Sequence, residues 1–128
     1  ILIDGENDMG NKFNGEGNLG IDPELNRRDS KDDDAVCNLR IYFDKPVPLE
    51  DGSFEDKGGF WMNVEIWGKR GIRCHELLKK GNRVTVDGSI IGKKWKDKES
   101  GDDQFGMVVR AKRVTPDLMT VDTLKPKK

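Results

Sequence analysis

Trp61, Asn63, Glu65 and Trp67 fall on one side of the alternating run 60–69, and Phe60, Met62, Val64 and Ile66 fall on the other. The second side is an ordinary core face. The first sets two large flat rings beside polar groups that favour water, the arrangement that stacking of unpaired bases requires. A loop lying over the rings, or a contact between subunits, is the competing use of such indoles. Trp95 adds a third ring, embedded in Lys93, Lys94, Lys96 and Lys98. That composition suits an arm that tracks phosphates and stacks a base; its plainer reading is a solvated hairpin whose indole packs on the body. Arg40 and Tyr42 share the outer side of the run 36–43 with Asn38, again an aromatic ring beside a cation. Phe54 sits in a loop rich in proline and glycine, either as a mobile stacking ring or as a lid over apolar surface.

Other constellations carry less. His75 is the sole histidine and has no serine or cysteine nucleophile in view, so it reads as a surface residue and an enzyme is not expected. Asp32, Asp33 and Asp34 are consecutive, whereas calcium loops place acidic ligands at alternate positions around a glycine turn. They read as a solvated hairpin tip. Gly15, Gly17 and Gly20 have dinucleotide-fingerprint spacing without the apolar strand before it or the helix after it. They read as bends or bulges in a first strand. No metal or other cofactor is implied. Cys37 and Cys74 have neither metal nor disulfide-framework spacing and read as small buried residues of a reducing compartment.

The elements that must position the rings follow from the patterning. A glycine-rich first strand over 12–20 is followed by a charged connection at 26–34 and a second strand at 36–43, with Cys37, Leu39, Ile41 and Phe43 inward. The stretch 44–59 reads as a long hairpin loop, punctuated by Pro46, Pro48, Gly52, Gly58 and Gly59. The central strand comes next, then a helix over 72–80. Cys74, Leu77 and Leu78 are its buried stripe, Lys79 and Lys80 suit its negative end, and Gly81 stops it. A fourth strand over 83–91 turns Val84, Val86 and Ile90 inward and bends at Gly88. A fifth alternates through Phe105, Met107 and Val109 into the basic run Arg110–Arg113.

Strand, strand, strand, helix, strand, strand is the order of an OB-fold, a mainly β five-stranded Greek-key barrel with one helix between strands three and four. The domain spans 12–114, with extensions at 1–11 (in part removable if Met9 is the natural start) and 115–128. At 128 residues one domain is expected. The charge is uneven: residues 1–60 hold 7 Lys and Arg against 15 Asp and Glu, and the remainder 16 against 9. That asymmetry suggests a basic face. No apolar run reaches membrane-span length and no leader pattern opens the chain, so a soluble cytoplasmic protein is expected.

The chain also resembles the bacterial single-stranded DNA-binding proteins. The resemblance runs in order through Gly17-Asn18-Leu19-Gly20 with Asp22-Pro23-Glu24-Leu25, Ala35–Leu39, Trp61 through Lys69, Leu78–Gly81 with Val84, Val86 and Gly88, and Lys93-Lys94-Trp95. It implies that Trp61, Trp67 and Trp95 stack bases and that Lys69, Lys93 and Lys94 lie near phosphates, in a protein that protects single strands during replication, recombination or transfer. It also implies a homo-oligomer, a dimer or tetramer, and replication or recombination proteins as partners. Arg40, Tyr42, Phe54, Lys96 and Arg110 complete the expected nucleic-acid surface. Three departures mark a divergent member. The first strand is polar at Phe13-Asn14-Gly15-Glu16-Gly17, which puts the tetramer in doubt. The 44–59 loop holds five acids against Lys45 and Lys57. The family's long acidic-tipped tail has no counterpart in these residues. A second function therefore stands beside the first: a protein-interaction module in a replication or conjugation assembly, docking through the acidic loop.

Overall fold

A computed structural model describes residues 11–27, 34–44 and 46–126. The charged tip at 28–33, Lys45, the first ten residues and the last two lie outside that description. Strand β3 (Ala35–Phe43) shows the expected period of two most cleanly: Ala35, Cys37, Leu39, Ile41 and Phe43 are buried and the intervening residues half-buried. Each inward side chain is apolar, from small Ala35 and Cys37 to the Phe43 ring, and together they form one wall of the core. β6 (Phe60–Trp67) pairs antiparallel with β3, setting Tyr42 opposite Trp61, Arg40 opposite Asn63 and Asn38 opposite Glu65.

Closure of the sheet depends on β1 (Asn11–Leu19), which pairs along β7 (Arg83–Lys96) and at its end crosses to β3. β7 pairs with β8 (Asp103–Pro116), and β8 meets β6 in parallel at Val64–Val109 and Glu65–Arg110. The ring β1-β3-β6-β8-β7-β1 is complete, in the strand order of an OB-fold barrel. Gly17 stands at the closure, paired with both Phe43 and Val84, and a Cβ there would lie 2.2 Å from the Tyr42 carbonyl oxygen. Gly17 thus serves close backbone approach rather than a bulge, while Gly15 leaves room for the Phe13 ring and Gly20 for the Trp61 ring. The bulge is where Gly88 predicts it: the β7–β8 register shifts between Asp87 and Gly88 and leaves Lys112 without an opposite residue. Leu19, Leu39, Ile41, Val64, Val84, Val86 and Val109 fill the interior.

Differences from the patterning have local causes. The connection after the first strand contains a short strand, β2 (Glu24–Arg27), on the edge of β3 beside Ala35–Asn38. The long loop folds into a small hairpin, β4 (Pro46–Pro48) with β5 (Phe54–Asp56). Helix α1 runs from Gly68 to Leu77, four residues earlier than its apolar stripe suggests. It stops because the next backbone N–H groups find acceptors outside it: Lys79 donates to Asn82 Oδ1 and Lys80 to Asp22 Oδ1, both at 2.8 Å. Lys79 and Lys80 therefore sit in a turn rather than in the last helical turn, and Leu77 is 62% exposed. Phe105 and Met107 are also exposed, because this half of β8 leaves the barrel. Cys37 and Cys74 are buried as expected, and desolvation pushes their thiols up to about 12 and about 11.

One ionic knot ties the closure together. Arg83 holds Asp44 through two bonds of 2.8 Å and Glu16 through one of 2.9 Å, joining β7, the end of β3 and β1. The hydrogen bonds from Arg83 keep the Asp44 carboxyl below the usual carboxylate range, and Asp44 raises Arg83 in return. A depressed folded value stabilises at pH above the unfolded one. Asp44→Asn is therefore expected to cost about 1.5–3 kcal/mol at neutral pH, measured by urea unfolding. The gap to wild type should be full above the ordinary aspartate value of 3.8 and shrink as pH falls below it.

Candidate nucleic-acid interface

The outward residues of β3 and β6 form one continuous surface because their register places them side by side. Trp61 is its centrepiece. The ring stays 50% exposed while its position is set on three sides. Tyr42 approaches at 5.3 Å between centroids with planes tilted by 60°, the Arg40 guanidinium lies 5.5 Å from the ring centre, and Gly20 leaves room for the indole edge. Arg40 is itself held by Asn63 Oδ1 at 3.0 Å. A pre-positioned ring with an open face loses little freedom when a base stacks on it, and an adjacent guanidinium adds cation–π attraction. Asn63, which the sequence places on the outer face without giving it a role, is what steers Arg40; its place opposite Arg40 needs the β3–β6 register to be seen.

Glu65 behaves unlike the wet residue its position suggests. It is 5% exposed. Lys93 Nζ binds one carboxylate oxygen at very short range; Arg110 Nη2 stands 3.8 Å from the other, and Trp67 Nε1 donates to that same oxygen at 3.4 Å. Trp67 is half-buried and pinned by that bond, so its ring is less available than Trp61. Arg110 Nε is buried with no hydrogen-bond partner among the described residues.

Beyond Gly92 the paired strands β7 and β8 continue as an arm with no other described strand beside them. The pairing sorts its residues into two faces. Lys93 and Trp95 share a side with Gly106, over which the Trp95 ring lies; this side continues the Trp61 surface through Glu65, and Trp95 is 51% exposed. Lys94 and Lys96 point to the reverse with Phe105 and Asp103. There Lys94 Nζ is 3.2 Å from Asp103 and 5.6 Å from the Phe105 ring centre. The four lysines around Trp95 thus do not act on one face. Phe105, 75% exposed, was concealed in the sequence by an alternation that looked inward.

Two expected residues lie apart. Lys69 is on the first turn of α1, at the rim of an apolar groove of about 280 Å³ between the helix and the end of β8. Phe54, 68% exposed, is on the β4–β5 hairpin, and no ring contact among the described residues links it to Trp61. The acidic hairpin nevertheless touches the surface: Tyr42 donates a very short hydrogen bond to Asp56, which raises the Tyr42 hydroxyl above its ordinary value.

Residues 11–117 match the Single-strand binding protein family. The chain belongs to that family. This family member is 30% identical over 89 residues to single-stranded DNA-binding protein 1 of Chlorobaculum tepidum, covering 70% of the chain and 53% of that protein. It thus spans about half the length of that curated relative. Its fold is similar to the small single-stranded DNA-binding protein of Streptomyces coelicolor, with a TM-score of 0.68 at 14% identity over 84% of this chain and 94% of that one. It is likewise similar to the Plasmodium falciparum SSB in complex with ssDNA, with a TM-score of 0.67 at 17% identity over 85% and 96% of the two chains. At those identities the likeness is one of fold.

Proposed function

We propose that this chain binds single-stranded DNA with little sequence preference, by stacking bases on Trp61 and Trp95 and drawing phosphates to the surrounding cations, and that it catalyses no reaction. The observation that carries the reading is the Trp61 ring, half open to solvent and held between Tyr42, Arg40 and Gly20 on the same surface as Trp95. Family membership supports it. Stacking on aromatic faces contributes about 1–3 kcal/mol per base and tolerates any base. Protection of strands in replication, recombination or transfer, self-association as a dimer or tetramer, contacts with replication or recombination proteins and a cytoplasmic location belong to the same proposal. No described helix is long and apolar enough to cross a membrane.

The test is tryptophan fluorescence during titration with a thymine homopolymer at two salt concentrations, with duplex DNA as control. Quenching by the single strand alone, weaker at the higher salt, is expected. Absence of quenching at low salt would overturn the stacking reading. The β4–β5 hairpin favours the protein-docking alternative, since it presents Phe54 and Leu49 to solvent beside Glu50, Asp51 and Glu55. On that reading, neutralising Asp51, Glu55 and Asp56 abolishes a partner contact while single strands bind weakly or not at all.

A further inference from the structure

A carboxylate in the middle of a surface meant for phosphates works against it. Glu65 is in that position. The strand register puts it between Asn38 of β3 and Arg110 of β8, four residues along β6 from Trp61, and its charge partner Lys93 is two residues from Trp95. It is the one buried charged residue among those described. Its oxygens engage Lys93 by a hydrogen bond and Arg110 by charge alone, at a distance beyond hydrogen-bond reach.

Resting on the single-strand reading, we propose that Glu65 is an internal counter-charge that withholds Lys93, and in part Arg110, from the phosphate backbone and so limits the grip of the interface. A lysine already neutralised by a buried carboxylate has no counterion vacancy for phosphate to fill. If it turns to a phosphate it leaves Glu65 desolvated beside a single cation, and that cost opposes the gain. The attraction that the basic arm suggests is therefore only partly expressed. Strand release is correspondingly easier, a useful property for a protein whose ligand must later be surrendered.

Glu65→Gln separates this role from a merely structural one. The amide keeps an acceptor for Trp67 Nε1 and nearly the same shape while removing the charge. For single strands the slope of log K against log salt grows by about 0.7 for each phosphate contact. The variant is expected to show a slope steeper by about 0.7, or about 1.4 if Arg110 is also released. Its advantage over wild type should grow about threefold per added contact between 200 and 50 mM salt, taken as roughly a fourfold dilution. Equal slopes with equal or weaker binding would overturn the proposal and make Glu65 a scaffold for Lys93. Lys93→Gln supplies an arm that does not depend on how the Glu65 variant folds. In the wild-type background it should reduce the slope by clearly less than 0.7, about one full contact, and in the Glu65→Gln background by that full amount. A full loss in the wild-type background overturns the proposal. If wild-type protein fails to bind the thymine homopolymer at low salt, it is the functional reading that falls, which the same titrations reveal first.

Discussion

Trp61→Ala is expected to weaken binding of a thymine homopolymer by about 1–3 kcal/mol, roughly 5- to 150-fold in affinity, while barely moving the unfolding midpoint. The ring is half exposed, so its removal sacrifices little core burial. What it takes away is an open stacking face and the group against which Arg40 and Tyr42 are arranged. Trp95→Ala belongs to the same range, because that indole is equally open. Trp67→Ala should cost less binding and more stability, since Trp67 is half-buried and its N–H is spent on Glu65. Fluorescence anisotropy of a labelled strand, run beside urea melts, measures both quantities. Equal binding losses for all three indoles would contradict the ranking.

Gly17→Ala is expected to destabilise the fold by about 3 kcal/mol or more, the upper end of overpacking costs. The atom that the new methyl meets is the Tyr42 carbonyl oxygen at 2.2 Å, followed by its carbonyl carbon at 2.8 Å. Backbone cannot rotate away as a side chain would. β1 must lift from β3, opening the ring at the point where Phe43 and Val84 both pair with it. Binding should fall as well, because Tyr42 is the residue displaced. A urea midpoint equal to that of wild type would mean that the closure is looser than the geometry indicates.

The fold was largely legible because its information is local. Period-two alternation survives cleanly in 36–43, whereas in 60–67 Phe60, expected inward, is 44% exposed and Glu65, expected outward, is buried; the Gly88 irregularity appears where a glycine interrupts an apolar run. The helix boundaries were less legible, since Asp22 takes the Lys80 N–H from 58 residues away and no window of sequence contains that bond. The exposure of Phe105 and Met107 on the arm is hidden in the sequence for a related reason. Phe105 and Met107 alternate as core residues do, but whether an alternating run is covered depends on a strand or helix being there to cover it. The indoles and cations of the interface could be picked out by type, whereas their grouping could not. Only the register sets Arg40 on Trp61, turns Lys94 and Lys96 away from Lys93, and buries Glu65 between Lys93 and Arg110.

The acidic hairpin is not accounted for by strand alternation, yet it is not remote from the interface. Asp56 accepts the Tyr42 hydroxyl at the edge of the stacking surface, so a base approaching Tyr42 meets a carboxylate. Together with Glu65, it places negative charge at two points of the surface proposed to hold a single strand. On the proposed single-strand reading, both features imply a binder of moderate grip, in which rings contribute more than cations.

Photo-crosslinking tests the central claim most directly. A thymine homopolymer carrying 5-iodouracil would be irradiated on the protein and the modified peptides mapped. The account predicts adducts on Trp61 and Trp95, with Tyr42 as a neighbouring site, and their loss when excess unlabelled single strand competes. Adducts confined to the β4–β5 hairpin or to the groove beside α1, with both indoles unmodified in a bound complex, would contradict it.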